Sequence, residues 1–395
     1  MRISFYAPLK SPQHPTPSGD RHVARLLIQA LESHGHEVDL ASQLRSRDAQ
    51  GDPERQQRLK NIGAKIAQRI VRRIKLLPKN QWPDIWLTYH LYYKAPDWIG
   101  PIVCRELDIP YVAIEVSVAN KRAGGPWDLS HRAVVDALNH AECVISINPH
   151  DSLCLPPNLR NRSLPPFIIA DQIISARENW SQHRRELAKN YNLDPNKQWL
   201  LCIAMMREGD KLASYRVLAN ALRGLPDLQW QLLIVGDGKA RTDVETAFKW
   251  APTSKVVFAG QCSSQELAHI IPACDIYTWP AINEAYGLAF LEAQAGGLPV
   301  IAGNTGGVPA VVTDGETGIL TSPGDSIAFA AALRTLLSAP VRRRAMGQAA
   351  AEKVKAVHSL ENAGRRLDEI LAASRKDYIK PGLPLLDYGK NNSTS

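Results

Sequence analysis

Short, dense apolar runs alternate with longer amphipathic stretches through the first half of the chain. Residues 3–9 (ISFYAPL), 36–40 (HEVDL), 84–90 (DIWLTYH), 111–117 (YVAIEVS) and 143–148 (CVISIN) have the length and the β-branched, aromatic make-up of buried strands. Residues 20–34 read as a helix, with Ser18 or Asp20 as its cap and Gly35 as its stop. Strand–helix alternation at this spacing predicts a parallel, doubly wound sheet. The proline-rich stretch 156–171 breaks the rhythm and reads as a linker. The alternation then restarts, with strands over 199–206, 230–236, 255–260, 276–280 and 298–303 and a helix over 212–223. From about residue 326 the pattern is helical, and 376–395 is polar with Pro and Gly, as in a loosely held tail. The expectation is an α/β protein of two Rossmann-like, doubly wound domains, 1–165 and 166–375, facing a central cleft. The second domain carries a helical C-terminus, and 376–395 forms the tail.

Length and composition narrow the class. At about 100–200 residues per domain, 395 residues make two or three domains. With 45% hydrophobic and 22% charged residues, a disordered or fibrous chain is excluded. No apolar run reaches the ~18 residues of a membrane span. Residues 1–9 lack the long apolar core of a signal peptide. The six cysteines are scattered without Cys-x-x-Cys spacing, which points to a reducing, cytoplasmic compartment and no structural metal.

The net charge of +8 is local. Residues 54–79 hold nine basic residues and one acidic one, so the 38 basic and 38 acidic residues elsewhere cancel. On a helical wheel Leu59, Ile62, Ile66, Ile70, Ile74 and Leu77 share an arc of roughly 120°, opposite a basic arc that includes Arg58, Lys65, Arg69, Arg72, Lys75 and Lys79. Two readings stay open. A basic amphipathic helix suits an anionic membrane surface, which makes the protein peripheral at the inner face of the cytoplasmic membrane. Alternatively, the apolar stripe docks on its own domain and leaves the basic residues in water. No aromatic-interleaved basic strand supports nucleic acid as a partner.

Candidate chemistry concentrates in residues 283–318. Glu284 and Glu292 are separated by seven residues, and between them Tyr286, Gly287 and Leu288 lie where a loop turns into a helix. A helix start offers unpaired N–H groups and a positive dipole end to phosphate, and a glycine there lets an anion approach the backbone. At ~1.5 Å per residue the two carboxylates lie up to ~12 Å apart, about the reach of a nucleotide diphosphate sugar. Arg207 and Lys211 follow the strand 199–206, where a parallel strand ends at a ligand crevice. A guanidinium fork and an ammonium there suit a diphosphate. Gly236 and Asp237 end another strand with room for a ligand, and Gln261 follows a third, where backbone reads a base edge.

In this order and spacing the features resemble the family 4 retaining glycosyltransferases of the GT-B fold, over residues 199–325. The matching pieces are Glu284/Glu292, Arg207/Lys211, VGDG (235–238), VFAG (257–260) and PVIAGNTGGVPAVVTDGETG (299–318). The resemblance implies a nucleotide diphosphate sugar as co-substrate, with no further cofactor and no divalent metal. By it, Glu284 approaches the donor sugar, Glu292 the ribose, and Arg207 with Lys211 the diphosphate. Sugar would pass with retention to an acceptor hydroxyl on a glycan or lipid-linked precursor of the cell-envelope type.

The N-terminal half resembles the family over 17–40, but the usual Gly-Gly is Gly19–Asp20 here. Gly19 still lets the loop approach phosphate, whereas Asp20 puts a carboxylate where the family has none. The family's histidine after the fourth strand is absent, and Glu115 is the nearest polar residue, to orient an acceptor hydroxyl or to cap a loop. His90, Lys121, Arg122 and His131, with Tyr92, Tyr93, Lys94 and Trp127, suit a sugar acceptor with or without phosphate. Two rival functions share the fold: an epimerase acting on the nucleotide sugar without acceptor, and a non-catalytic donor-binding protein.

Overall fold

The computed structural model describes residues 1–16, 18–148, 152, 154–284 and 287–378. The chain forms two units, one of residues 1–164 together with the stretch from Leu360 onward, the other of residues 165–359.

Among the described residues the first unit holds a parallel sheet of β1 (Arg2–Tyr6), β2 (Glu37–Ser42), β3 (Ile85–Tyr92), β4 (Tyr111–Ser117), β5 (Ala141–Ser146) and β6 (Asn161–Ser163), in the order β2-β1-β3-β4-β5-β6. Ile3 on β1 stands opposite Val38 on one side and Ile85 on the other. The strands β1, β3, β4 and β5 are mostly buried because helices cover both faces, which is why these runs are continuous rather than alternating, whereas β2 and β6 at the edges stay partly exposed. The helices are α1 (Gly19–Ser33), α2 (Pro53–Lys75), α3 (Gly100–Leu107) and α4 (Asp128–Asn139). Ser18 is the N-cap of α1, but its side chain makes no capping bond.

The basic segment is α2, capped by Asp52, which accepts from Glu54 N at 3.0 Å and Arg55 N at 3.2 Å. Its buried side is Gln56, Leu59, Gly63, Ala67, Ile70, Val71 and Ile74, packed on α3 and α4. The docked reading is therefore the observed one for the stripe. The stripe is rotated from the predicted arc because Gly63 and Ala67 let the helix approach closely; a Cβ on Gly63 would lie 2.4 Å from that of Trp98. Ile62 and Leu77 of the predicted stripe stay exposed, and so does the row of lysines and arginines.

The second unit repeats the architecture. Its parallel sheet runs β12-β11-β10-β7-β8-β9, from β7 (Gln198–Ile203), β8 (Trp230–Val235), β9 (Val256–Gly260), β10 (Ile276–Trp279), β11 (Val300–Gly303) and β12 (Gly318–Thr321). Around it lie α5 (Asp171–Ala176), α6 (Trp180–Tyr191), α7 (Asp210–Arg223), α8 (Arg241–Ala247), α9 (Ser264–Ala273), α10 (Leu288–Ala295), α11 (Val308–Val311), α12 (Ser326–Ser338) and α13 (Pro340–Val357). Its core holds the fully buried Trp199, Trp230, Tyr215, Tyr277, Phe290 and Phe329. Two strands were not predicted. β6 lies inside the proline-rich stretch, and β12 has four residues in a turn-rich run, too short for a periodic signal.

The last helix, α14 (Leu360–Lys376), corrects the expected boundary at 375: it packs with the first unit, not the second. Gly364 lies so close to α1 that a Cβ would sit 2.5 Å from Ala30 O. Arg375 pairs with Asp84 at 2.7 Å and His36 with Asp368 at 3.2 Å. The chain thus enters the second unit after Leu164 and leaves it before Leu360. Most of the predicted tail lies outside the described residues.

Candidate active site

In the second unit, β7, β8 and β9 end side by side, and the loops leaving them are bonded to one another. Met206 N donates to Asp237 O at 2.9 Å, and Gly236 N to Gly260 O at 2.7 Å. Gly236 and Gly238 make this approach possible. They sit at φ 140° and 153°, and a Cβ would lie 2.0 Å from Ala204 O and 2.2 Å from Met206 O. The VGDG turn is therefore built for close packing of two strand-end loops. Asp237 remains exposed at its tip, its Oδ1 accepting from Gly238 N at 2.7 Å, and Gln261 is exposed just beyond β9.

Arg207 is exposed in the loop after β7 and has no ion pair among the described residues. Lys211 lies in the first turn of α7, which begins two residues earlier than predicted. Its Nζ stands 2.5 Å from Glu284 Oε2, an ion pair with both side chains mostly sheltered. The same oxygen accepts from Trp279 Nε1 at 3.3 Å, and the Lys211 ammonium lies 5.2 Å from the centre of the Trp279 ring. Trp279 is the site residue that sequence reasoning missed. It reads as a core aromatic of β10, and nothing in the spacing marks its N–H for Glu284. Asn283, at φ 54°, donates to Asp210 Oδ2 at 3.0 Å and fastens the Glu284 loop to the start of α7.

Gly287 is the N-cap of α10 at φ 66°, and among the described residues no side chain caps the helix. A Cβ there would lie 2.3 Å from the Phe290 ring, so glycine is required by both conformation and space. Leu288 opens the helix; Tyr286 lies outside the described residues. Glu292 sits one turn further along α10. It keeps some surface exposure, but protein surrounds most of the carboxyl, and this desolvation pushes it up to about 7. The buried Tyr277 hydroxyl feels both acids: burial and then the Cys202 thiol raise it most, with Glu284 and Glu292 adding to the effect. Glu284, Lys211, Glu292 and the α10 start thus converge on the carboxyl edge of one sheet, with Arg207 leaving the same edge beside them.

In the first unit, Gly19 opens α1 with open space where a Cβ would point. Asp20 turns to its own unit. It pairs with Lys10 and lies 3.2 Å from His90 Nδ1, and the bond from His90, then Lys10, holds its carboxyl well below the usual range. His90 itself is at φ 64°, a strained value for a non-glycine at a strand end. Glu115, expected as a candidate to orient an acceptor, takes the capping role. Its Oε1 accepts from Ile147 N at 2.6 Å and Asn148 N at 3.1 Å, closing the end of β5. His131, expected to contact acceptor, is instead buried within α4, and its Nδ1 has no hydrogen-bond partner among the described residues. Lys121 is exposed, and Arg122 stacks on Tyr93 and Trp127, both centroids 4.9 Å away. No group of three His, Cys, Asp or Glu among the described residues is placed to hold a metal ion.

Residues 184–353, most of the second unit, match the family of glycosyl transferases, group 1. The family-4 resemblance is thereby borne out where its motifs lie. Relatives include sulfoquinovosyl transferase of Arabidopsis thaliana, 34% identical over 145 residues, 36% of this chain and 28% of that protein. A GDP-mannose-dependent monoacylated alpha-(1-6)-phosphatidylinositol monomannoside mannosyltransferase of Corynebacterium glutamicum is 36% identical over 163 residues, 40% of this chain and 42% of that one. D-inositol 3-phosphate glycosyltransferase of Corynebacterium diphtheriae is 37% identical over 142 residues, 35% and 33% of the two chains. The matches thus span less than half the length of these relatives. Among solved structures, a glycosyltransferase from Rickettsia africae superposes with TM-score 0.73 at 17% identity, covering 95% of this chain and 99% of that one. Anabaena Alr3699/HepE, solved in complex with UDP-glucose, does so with TM-score 0.66 at 17% identity, over 94% and 100%. At such identities these two show the fold, GT-B with two Rossmann-like units.

Proposed function

We propose that the protein is a retaining glycosyltransferase that moves a sugar from a nucleotide diphosphate donor to a hydroxyl of a glycan or glycolipid precursor. The observation that carries this reading is the junction of Lys211 with Glu284 beside the glycine-capped start of α10. An ammonium, a carboxylate and helix amides at the carboxyl ends of parallel strands match a diphosphate joined to a sugar. A relative named for GDP-mannose and a structural neighbour solved with UDP-glucose make these two the first donors to test.

In the reaction, the bond from the anomeric carbon to the distal phosphate oxygen breaks, and its electron pair leaves with the nucleoside diphosphate. The acceptor oxygen bonds to the anomeric carbon from the same face, and its proton passes to the departing phosphate. Lys211, Arg207 and the α10 amides stabilise the charge that develops on the phosphate. Glu284 holds sugar hydroxyls once the donor's phosphate competes for Lys211, and Glu292 holds the ribose. With two cations on the diphosphate, transfer proceeds in EDTA. Glu284→Ala and Lys211→Ala should each lower kcat/KM by about 10²–10³, measured as sugar transfer by folded variants. Near-normal rates in both would remove the assignment. Sugar isomerisation without acceptor would favour the epimerase reading instead.

The same reading places the protein at the cytoplasmic face of a membrane. With its stripe docked, α2 contributes charge rather than insertion: exposed Arg69, Arg72, Arg73 and Lys75 run to Leu76, 87% exposed, and Leu77. No described helix is long and apolar enough to cross a membrane. Flotation with phosphatidylglycerol vesicles should be lost in high salt and in an Arg69→Gln, Arg72→Gln, Arg73→Gln variant; binding indifferent to both contradicts surface docking.

A further inference from the structure

Three loops at the carboxyl edge of the first unit's sheet form a cationic platform that the donor chemistry does not use. They follow β2, β3 and β4 and are pinned together by buried groups. Gln56 Nε2 donates to Asp48 Oδ2 at 2.9 Å and to Pro126 O at 2.8 Å, and Asp48 N donates to Lys94 O at 2.8 Å. Trp127 and Tyr93 meet edge to face at 5.6 Å. Arg122 lies 4.9 Å from both ring centroids and Lys94 5.7 Å from both. Arg47 reaches the Tyr92 hydroxyl next to them.

These three cations have no carboxylate partner among the described residues. The acids in the same loops are already used: buried Asp48 accepts from Gln50 N, Asp52 N and Gln56 Nε2, Asp52 caps α2, and buried Asp97 accepts from Thr88, Ile99 N and Gly100 N. Arg122 Nε is buried without an acceptor among the described residues. Arg122 Nη2 donates to the Tyr93 hydroxyl at 3.4 Å, and the aromatic faces offset part of the cost of gathering like charges, but neither neutralises them. Cations held by fixed rings, on loops locked by buried hydrogen bonds at strand carboxyl ends, are a preorganised anion site.

We propose that this platform binds a phosphate group carried by the acceptor. Three positive charges match a phosphate better than a single carboxylate, and the guanidinium fork fits its oxygens. The word "acceptor" rests on the transferase reading; the anion site itself does not. The source of the phosphate is a soluble sugar phosphate or a phospholipid headgroup.

The test is calorimetric titration of the full chain, without donor, with glucose 6-phosphate, glycerophosphoglycerol, glucuronate and glucose. We expect one of the two phosphates to bind at least tenfold more tightly than glucose or glucuronate. A preference for glucose 6-phosphate marks a soluble acceptor, and a preference for glycerophosphoglycerol marks a lipid headgroup. Lys94→Met with Arg122→Met should weaken that phosphate at least tenfold; if this double variant does not melt cooperatively, Lys94→Gln alone is read for a smaller loss. Absence of phosphate binding to the parent chain, glucuronate binding equal to phosphate, or phosphate binding unchanged in a folded variant would each overturn the proposal. Because no donor is present, the titration reads the anion site alone; phosphate binding here with no sugar transfer in the separate assay with nucleotide sugars would refute the transferase reading and leave the site standing.

Discussion

At the scale of single residues, the two acids of the Glu-x7-Glu pair live in different surroundings. Glu284 has an ammonium and an indole N–H on one oxygen. Glu292 has no cation or donor paired with its side chain among the described residues, and desolvation alone lifts it to about 7. A carboxyl raised above its unfolded value binds its proton more tightly in the folded state. Stability is then lost as pH rises from the ordinary carboxylate range through about 7. Replacing Glu292 by Gln should remove this loss. The melting temperature of the variant should rise relative to the parent between pH 5 and pH 8, by up to ~2–3 kcal/mol of stability. A difference between the two that does not change with pH would contradict it. Residue identities at this site were legible because charge types and spacing carry them: Arg207, Lys211, Glu284 and Glu292. Pairing was not legible. That Lys211 meets Glu284, and that Trp279 donates to it, depends on loops brought together over 73 residues of chain. In the first unit the same blindness gave Glu115 two possible tasks, of which the structure takes the cap.

At the scale of elements, glycines decide how closely strand ends approach. Gly236 and Gly238 let the β8 loop cross beneath the β7 loop that carries Arg207, with backbone oxygens where a Cβ would be. Gly238→Ala must therefore separate the two loops as well as adopt φ 153°. We expect a destabilisation of ~2–4 kcal/mol and a matching fall in donor affinity, read by chemical unfolding and by nucleotide titration. A variant with parental stability and affinity would show that the turn is not the clasp described. The VGDG run was visible in the sequence, but its reason was not. It reads as room for a ligand, whereas the space is filled by the protein's own backbone. For α2 the period was readable, and the docked face was not. Small residues, Gly63 and Ala67, carry little weight in an apolar pattern yet set where the helix touches its unit.

At the scale of the whole molecule, alternation of strands and helices foretold two parallel sheets because both faces of each are covered, which leaves continuous apolar runs. The path of the chain was hidden. Helix α14 follows α12 and α13 as one more helical run, and only its contacts with α1 assign it to the first unit. Short strands such as β6 and β12 were lost for want of period. The account's central claim lies in the second unit: Arg207, Lys211 and Glu284 hold a nucleotide diphosphate sugar. A thermal-shift titration of the full chain with UDP-glucose, GDP-mannose and their free nucleotides tests it most directly, since a ligand of the folded state raises the melting point. The account predicts that one nucleotide sugar raises the melting temperature in a saturable way and that Arg207→Ala with Lys211→Ala abolishes the rise. A rise of the same size in that variant, or no rise with any nucleotide sugar, would contradict it.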